Sequence, residues 1–278
     1  MKLIYENAVG RLTFCGGSDR VFNITDIDGL SLPDTEADAV RYPDMPGQTV
    51  SRISLLPRTI TFSGDIRDKN GKYVARAAKI LAYPGVLYVV SKRSMRKIPC
   101  RTVSFEPLKR RGIFVPFTLQ LICDDPCFTD VTEKKEAIYK RVKLFKNEVL
   151  FPQMLSSRTT KGTLYNHGSF SIYPVIFITA PKGATCEKGI TILNETTGAN
   201  LYLTCGIRSG ETITVDCDAR RITGSEQGNL ITKLSKITPL SGFFLENGAN
   251  VIGVTAEDEP APLQVEVLYQ NKYLEAVI

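Results

Sequence analysis

The sequence predicts a mainly β protein in two parts: a mostly antiparallel sheet or barrel carrying one helix, followed by a β-sandwich. Three observations predict it. Ile113, Val115, Phe117, Leu119, Leu121 and Cys123 occupy every second position, the period of a half-buried strand. Arg58-Thr-Ile-Thr-Phe-Ser-Gly-Asp-Ile66 alternates as strictly, with Ile60, Phe62 and Ile66 on one face and Thr59, Thr61, Ser63 and Asp65 on the other. Beyond residue 166, short apolar runs alternate with dense turn residues, as in a sandwich of roughly a hundred residues.

In the first part, Gly64 interrupts the apolar face of the 58–66 strand and marks a bulge or a close backbone approach. Asp68-Lys-Asn-Gly71 is a turn able to cap a helix. Val74, Ala77 or Ala78, and Leu81 follow at helical spacing until Pro84-Gly85 stops them. This short, small-faced helix is expected to lie across a sheet. Val86–Val90 and the basic segment 96–105 are expected strands. Pro126 holds Asp125 extended and closes the pattern at Leu119-Gln-Leu-Ile-Cys-Asp-Asp-Pro-Cys-Phe128. The division is therefore 1–128 for the first domain, 129–165 as a connecting segment and 166–278 for the sandwich.

The connecting segment is the least determined. Lys134 to Lys146 is charged, with Ile138, Val142 and Phe145 at a loosely helical period, whereas Val149–Phe151 and Leu164-Tyr165 look like strands. Asn166-His-Gly168 is a polar turn launching a buried strand at Val175–Thr179. Further strands are expected at Gly189–Leu193, Leu201–Thr204, Thr212–Asp216, Phe243–Leu245, Ala249–Thr255 and Leu263–Tyr269. Turns lie between them at Pro181-Lys-Gly, Asn194–Gly198, Ser209-Gly210, Glu246-Asn-Gly248 and Pro260–Pro262.

The 278 residues, 43% hydrophobic and 23% charged, are enough for two cores and are globular rather than disordered in composition. The longest apolar stretch, Ile80 to Val90, is cut by Pro84-Gly85 and is shorter than the roughly 20 residues of a membrane span. The start meets a charge before any apolar run, unlike a secretory signal, so synthesis in a cytoplasm without membrane insertion is expected. Seven dispersed cysteines are a poor disulfide framework and are expected to be reduced and mostly buried. Cys123-x-x-x-Cys127 supplies half of a zinc site, but no second pair follows and His167 is the only histidine. No metal and no cofactor is expected.

Residues 1–140 hold 22 Lys and Arg against 16 Asp and Glu, and residues 141–278 hold 13 of each, so the whole excess of +6 lies in the first half. It gathers at Lys92-Arg93, Arg96-Lys97, Arg101 and Lys109-Arg110-Arg111. Such a surface suits phosphates or an acidic protein. Without interleaved aromatics, a hairpin rim or edge strand kept soluble by its cations is preferred. At most, weak and salt-sensitive DNA binding is expected.

A search for chemistry returns no catalytic set. Asp124-Asp125 and Asp216 with Asp218 are close in sequence, but glycoside hydrolysis needs two carboxyls facing each other across a sugar. The lone His167 sits in a turn, no Gly-x-Ser-x-Gly elbow exists, and Gly16-Gly17-Ser18 is too short for a phosphate loop. A sugar-binding adhesion module is the alternative from another class. It lacks tryptophan as a stacking platform, and the second-half tyrosines (165, 173, 202, 269 and 273) are equally suited to a core.

Taken in order, these elements resemble the distal tail proteins of long, flexible-tailed bacteriophages, the phage tail component family. The resemblance covers essentially the whole chain. It rests on the 58–66 strand before the helix, Leu-x-Leu-x-Cys-Asp-Asp-Pro-x-Phe128, Asn166-x-Gly168 with Tyr173-Pro174-Val-Ile-Phe-Ile178, and Gly189-Ile-Thr-Ile-Leu-Asn194. Thr197-Gly198, Gly210-Glu-Thr-Ile-Thr-Val-Asp216 and Phe243-Phe-Leu-Glu-Asn-Gly-Ala-Asn250 continue it. Cys217 departs from the small polar residue usual after Asp216. The resemblance implies a split-barrel-like ring-forming domain and a galectin-like sandwich without an added carbohydrate-binding module. It implies a non-enzymatic virion protein, a hexameric ring at the tail tip. That ring joins the tail tube protein to the baseplate hub and receptor-binding proteins, and tape measure protein and then DNA pass through its lumen. Structural turns are expected at Asp125, Pro126, Asn166, Gly168, Tyr173, Pro174 and Asp216. Exposed sheet edges suit pairing between subunits, so the ring contact is expected on strands 58–66 and 113–123, through Ile60, Phe62, Ile66, Val115, Phe117 and Leu119.

Overall fold

The computed structural model describes residues 1–16, 21–43, 46–92, 94–143, 156–183, 185–236, 239–257 and 263–276, with 139–143 and 156–159 as backbone. Phe145, the expected strand Val149–Phe151 and the expected turn Pro260–Pro262 lie outside them. The chain divides into two compact units, Met1–Val131 with Tyr273–Ile278, and Thr132–Lys272.

Unit 1 contains β1 (Lys2–Asn7), β2 (Gly10–Cys15), β3 (Phe22–Asp28), β4 (Thr35–Val40), β5 (Thr49–Leu55), β6 (Arg58–Arg67), α1 (Lys72–Leu81), β7 (Gly85–Val90), β8 (Met95–Pro107), β9 (Phe114–Cys123) and β10 (Phe128–Asp130). Seven of them run in the order β8-β7-β1-β2-β3-β6-β9, and β9 pairs back onto β8 to close a barrel. The pairing is antiparallel except between β2 and β3, which meet in parallel at Cys15 and Asn23. β6 and β9 lie in register from Arg58 opposite Cys123 to Arg67 opposite Phe114, so both alternating apolar faces point inward. Phe14 is central to the core, its ring centroid 5.1 Å from Phe62, 5.4 Å from Phe22 and 6.0 Å from Phe117.

Two local features follow from the sequence signals. A Cβ on Gly64 would stand 1.9 Å from the Asn23 carbonyl oxygen, and β3 shifts register between Ile24 and Asp26 opposite it. The glycine thus permits a close strand approach rather than carrying the bulge itself. The buried Asp68 carboxylate accepts N–H groups of Asn70 and Gly71 through Oδ1 (3.0 and 2.8 Å), and of Tyr73 and Val74 through Oδ2 (2.9 and 3.0 Å). It therefore satisfies first-turn donors of α1 that the helix itself leaves free. Ala77, Ile80 and Leu81 form the buried face of that helix.

Unit 2 contains β11 (Lys134–Lys143), β12 (Ser156–Thr159), β13 (Lys161–Asn166), β14 (Val175–Thr179), β15 (Ile190–Asn194), β16 (Asn200–Leu203), β17 (Thr212–Asp216), β18 (Arg221–Gly224), β19 (Gly228–Asn229), β20 (Gly248–Ala256) and β21 (Gln264–Tyr269). They form two sheets, β12-β11-β21-β14-β17-β18-β19 and β13-β20-β15-β16. Ile176, Ile178, Val215 and Val267 of the first share one core with Leu164, Ile192, Leu203 and Ile252 of the second. Three buried asparagines fix the turns. Asn166 donates to the carbonyls of Phe170 and Leu245, Asn194 donates to that of Phe244, and Asn250 bonds Glu246 through both N–H and C=O.

Two sequence expectations are corrected here. The loosely helical 134–146 is strand over Lys134–Lys143, paired with β21, and a register shift between Ala137 and Tyr139 breaks the period-two pattern that would have revealed it. Phe243–Leu245 is no full strand; Leu245 makes a single bridge to Ile172.

The last strand, β22 (Lys272–Tyr273), brings the chain back to unit 1 beside β10. Two buried arginines hold the residues after it. Arg58 donates to the carbonyls of Gly29, Ser31, Pro126 and Leu274, with its guanidinium 4.8 Å from the Phe128 ring centre. Arg96 donates to the Glu275 carbonyl and lies 3.7 Å over the Tyr273 ring. Arg96, expected on a solvated basic rim, is thus buried. Burial pulls the Arg58 pKa below its ordinary value, opposed by the neighbouring Cys123 and Cys127.

Candidate assembly surface

The six side chains expected at a ring contact are spent inside the barrel. Ile60, Ile66 and Leu119 are fully buried, Phe62 and Phe117 are 1% exposed, and Val115 is 6% exposed. Their strands have no free edge either, because β6 lies between β3 and β9, and β9 between β6 and β8. The barrel closes on the hydrogen bonds that an open sheet would have offered a neighbour. A contact with another chain would have to use other side chains than these six.

One such surface is the β4–β5 hairpin, which pairs only with itself among the described residues. Its register sets Thr35, Ala37 and Ala39 opposite Leu55, Ile53 and Val50, with an irregularity beside Ser51. Strand alternation puts these six on one face and Glu36, Asp38 and Arg52 on the other. The apolar face is left in solvent, with Ile53 68% and Val50 45% exposed. Leu32, Val40, Tyr42 and Leu56, on and beside the hairpin, are exposed too. A two-stranded hairpin is marginal on its own in water and gains stability from a third layer.

A second surface of the same unit is an open groove of about 560 Å³ beside α1. Val74, Ala75 and Ala78 of the helix face Phe105, Pro107, Leu108 and Val115 across it, with Arg110 at its edge. Arg110 is held by the Lys69 carbonyl. Lys72 and Lys79 flank the groove-facing stripe of α1 by helical spacing, and both are exposed.

The expected structural turns sit as follows. Asp125 accepts the Cys127 N–H (3.0 Å) on either side of Pro126, and Asp216 accepts that of Ala219 (2.9 Å). A Cβ on Gly168 would stand 2.4 Å from the Lys272 carbonyl oxygen, and the Gly168 N–H donates to Asn166 (2.9 Å). Tyr173 packs edge-on against Phe244, and the Pro174 carbonyl accepts the Cys217 N–H (3.2 Å). Tyr165 stacks on His167 at 6.0 Å and is exposed, whereas Tyr269 is buried. Asp124 meets Arg101 in an exposed pair, 3.6 Å apart.

Among the described residues, no three His, Cys, Asp or Glu side chains stand close enough to hold a metal. None of the seven cysteines is in a disulfide, and six are buried. Burial, with Asp216 and Asp218 beside it, raises the Cys217 thiol to about 12. Cys100 is raised as well, by its hydrogen bond with Cys123 and then by burial. The buried Glu211 accepts N–H groups of Arg208 and Gln227 and the Gln227 side chain. Its burial acts to raise its pKa, and these donors outweigh that and lower it.

A closed barrel bearing one helix and an amphipathic hairpin, joined to a two-sheet unit, defines a mainly β protein of two units. No family model matches the sequence, and no curated protein matches it. The fold is similar to that of the Dit protein (gp 19.1) of phage SPP1, described as a paradigm of the hub adsorption apparatus of phages infecting Gram-positive bacteria. The TM-score is 0.66 at 14% identity, over 90% of this chain and 92% of that one. Chains of the phage P2 baseplate in its activated conformation, with Ca and with Sr, match at TM-scores of 0.49 and 0.46 and 10% and 11% identity. They cover 100% and 96% of this chain and 99% and 97% of theirs.

Proposed function

We propose that this chain is a non-enzymatic structural protein of a phage tail tip, a distal tail ring joining the tail tube to the baseplate. In this reading unit 1 forms the ring, hexameric as in the family it resembles. Unit 2 is the galectin-like module on which a baseplate hub or receptor-binding protein docks, and the lumen passes DNA. The observation that carries the reading is the hairpin: an apolar face left in solvent on a chain whose fold spans nearly all of a distal tail protein. An exposed apolar face of this kind marks an interaction site more often than a monomer's surface. The test is the mass and shape of the purified protein, by light scattering with negative-stain images. A closed multimer with a central hole is expected; a strict monomer at high concentration overturns the reading.

A further inference from the structure

Unit 1 carries two unpartnered apolar surfaces of different shape; the strand β4 of the first is acidic, its partner β5 adding Arg52 opposite Asp38, and the second is rimmed by cations. Between Val21 and Val40 the chain has Asp26, Asp28, Asp34, Glu36 and Asp38 and no Lys or Arg. Around the groove the balance reverses. Arg67, Lys69, Lys72, Arg76 and Lys79 lead into and along α1, and Lys109-Arg110-Arg111 follow β8. The only carboxylate in either stretch, Asp68, is buried beneath its four N–H donors.

We infer that the β4–β5 hairpin of one copy docks in the α1 groove of the next, apolar face inward, with the long cationic side chains of the groove rim reaching past the hairpin's edge to the acids of β4. The inference rests on the ring reading above and names the two surfaces that meet in it. Dimensions agree: a six-residue strand pair extends about 20 Å and a ten-residue helix about 15 Å. Val50 and Ile53 would cover Val74, Ala78 and Leu108, giving the hairpin the third layer it lacks. Groove against groove is disfavoured because it brings the cations together, and hairpin against hairpin leaves the basic rim without a counter-charge. A contact between two different surfaces of identical chains runs head to tail, and it ends only when a ring closes.

Head-to-tail docking has a signature that a symmetric contact lacks. Ile53→Lys spoils the hairpin face and keeps the groove; Ala78→Arg fills the groove and keeps the hairpin. Both positions are exposed, so far-UV circular dichroism and the thermal melt should match the wild type. Each variant alone is expected to sediment as a single chain of 30.8 kDa. Mixed in equal amounts they should give a species of twice that mass and nothing larger, since one good contact per pair remains and cannot propagate. If the wild type assembles and Ala78→Arg still does, or the mixture stays monomeric, the pairing is wrong while the ring reading stands. A wild type that is itself monomeric removes both.

Discussion

Asp68 is a carboxylate with almost no exposure and, among the described residues, no salt-bridge partner, held by four main-chain N–H groups. Burial acts to raise its pKa, the donors from Val74, Asn70, Tyr73 and Gly71 oppose that, and the result lies below the ordinary carboxylate value. The folded state therefore holds the proton less tightly than the unfolded one. The resulting stability is present above the unfolded pKa of about 4 and is lost as pH falls through the folded value. Asp68→Asn is predicted to cost about 1–2 kcal/mol at pH 7. That gap should narrow on acidification in urea titrations; a gap of constant size contradicts the assignment. Asp68 and Gly64 were legible in the sequence because each sits in a short signal, a capping turn and a break in strict alternation. Arg58 was not. Nothing in a strand's first residue announces that carbonyls at positions 29, 31, 126 and 274 will converge on it.

Elements were legible in proportion to their periodicity. β6, β9, β14 and β17 have clean alternation between buried and open positions, and the last two have the expected bounds. β4 was not foreseen because Thr-Glu-Ala-Asp-Ala-Val sets alanines on its apolar face, too small to show a pattern against the neighbouring acids. Its importance appears only once Ile53 and Val50 are placed across from those alanines. The barrel closes without this hairpin, as β3 pairs directly with β6. The backbone bond from the Leu56 N–H to the Asp34 carbonyl (2.9 Å) sets the hairpin's two ends side by side. Replacing residues 35–55 by a short Gly-Ser link is thus predicted to keep a cooperative melt and to abolish assembly. Loss of the barrel's β signature in circular dichroism would show that the arm is part of the core.

At the scale of the whole molecule, unit 2 is an insertion between Val131 and Tyr273, and the chain's last residues complete unit 1. The sequence does not reveal this return, because six residues carry no period; it leaves 166–278 as one continuous sandwich. Ending the chain at Lys272 removes the acceptors at Leu274 and Glu275, the Tyr273 ring under Arg96 and the buried Ala276. Arg58 keeps its other three carbonyls, but each hydrogen bond lost from a charged group costs about 1.5–3 kcal/mol, so the truncated barrel is predicted to melt well below the intact one, and an unchanged melt would contradict the clasp. The order and spacing of the turn motifs were enough to suggest the fold class. The surface proposed for the ring contact was not, since the strands with the strongest apolar pattern were the ones the barrel buries. The most direct measurement is the mass of the purified full chain across a concentration series, with negative-stain images of the largest species. A closed ring with a central hole is the predicted result, and a single chain at every concentration is the result that contradicts it.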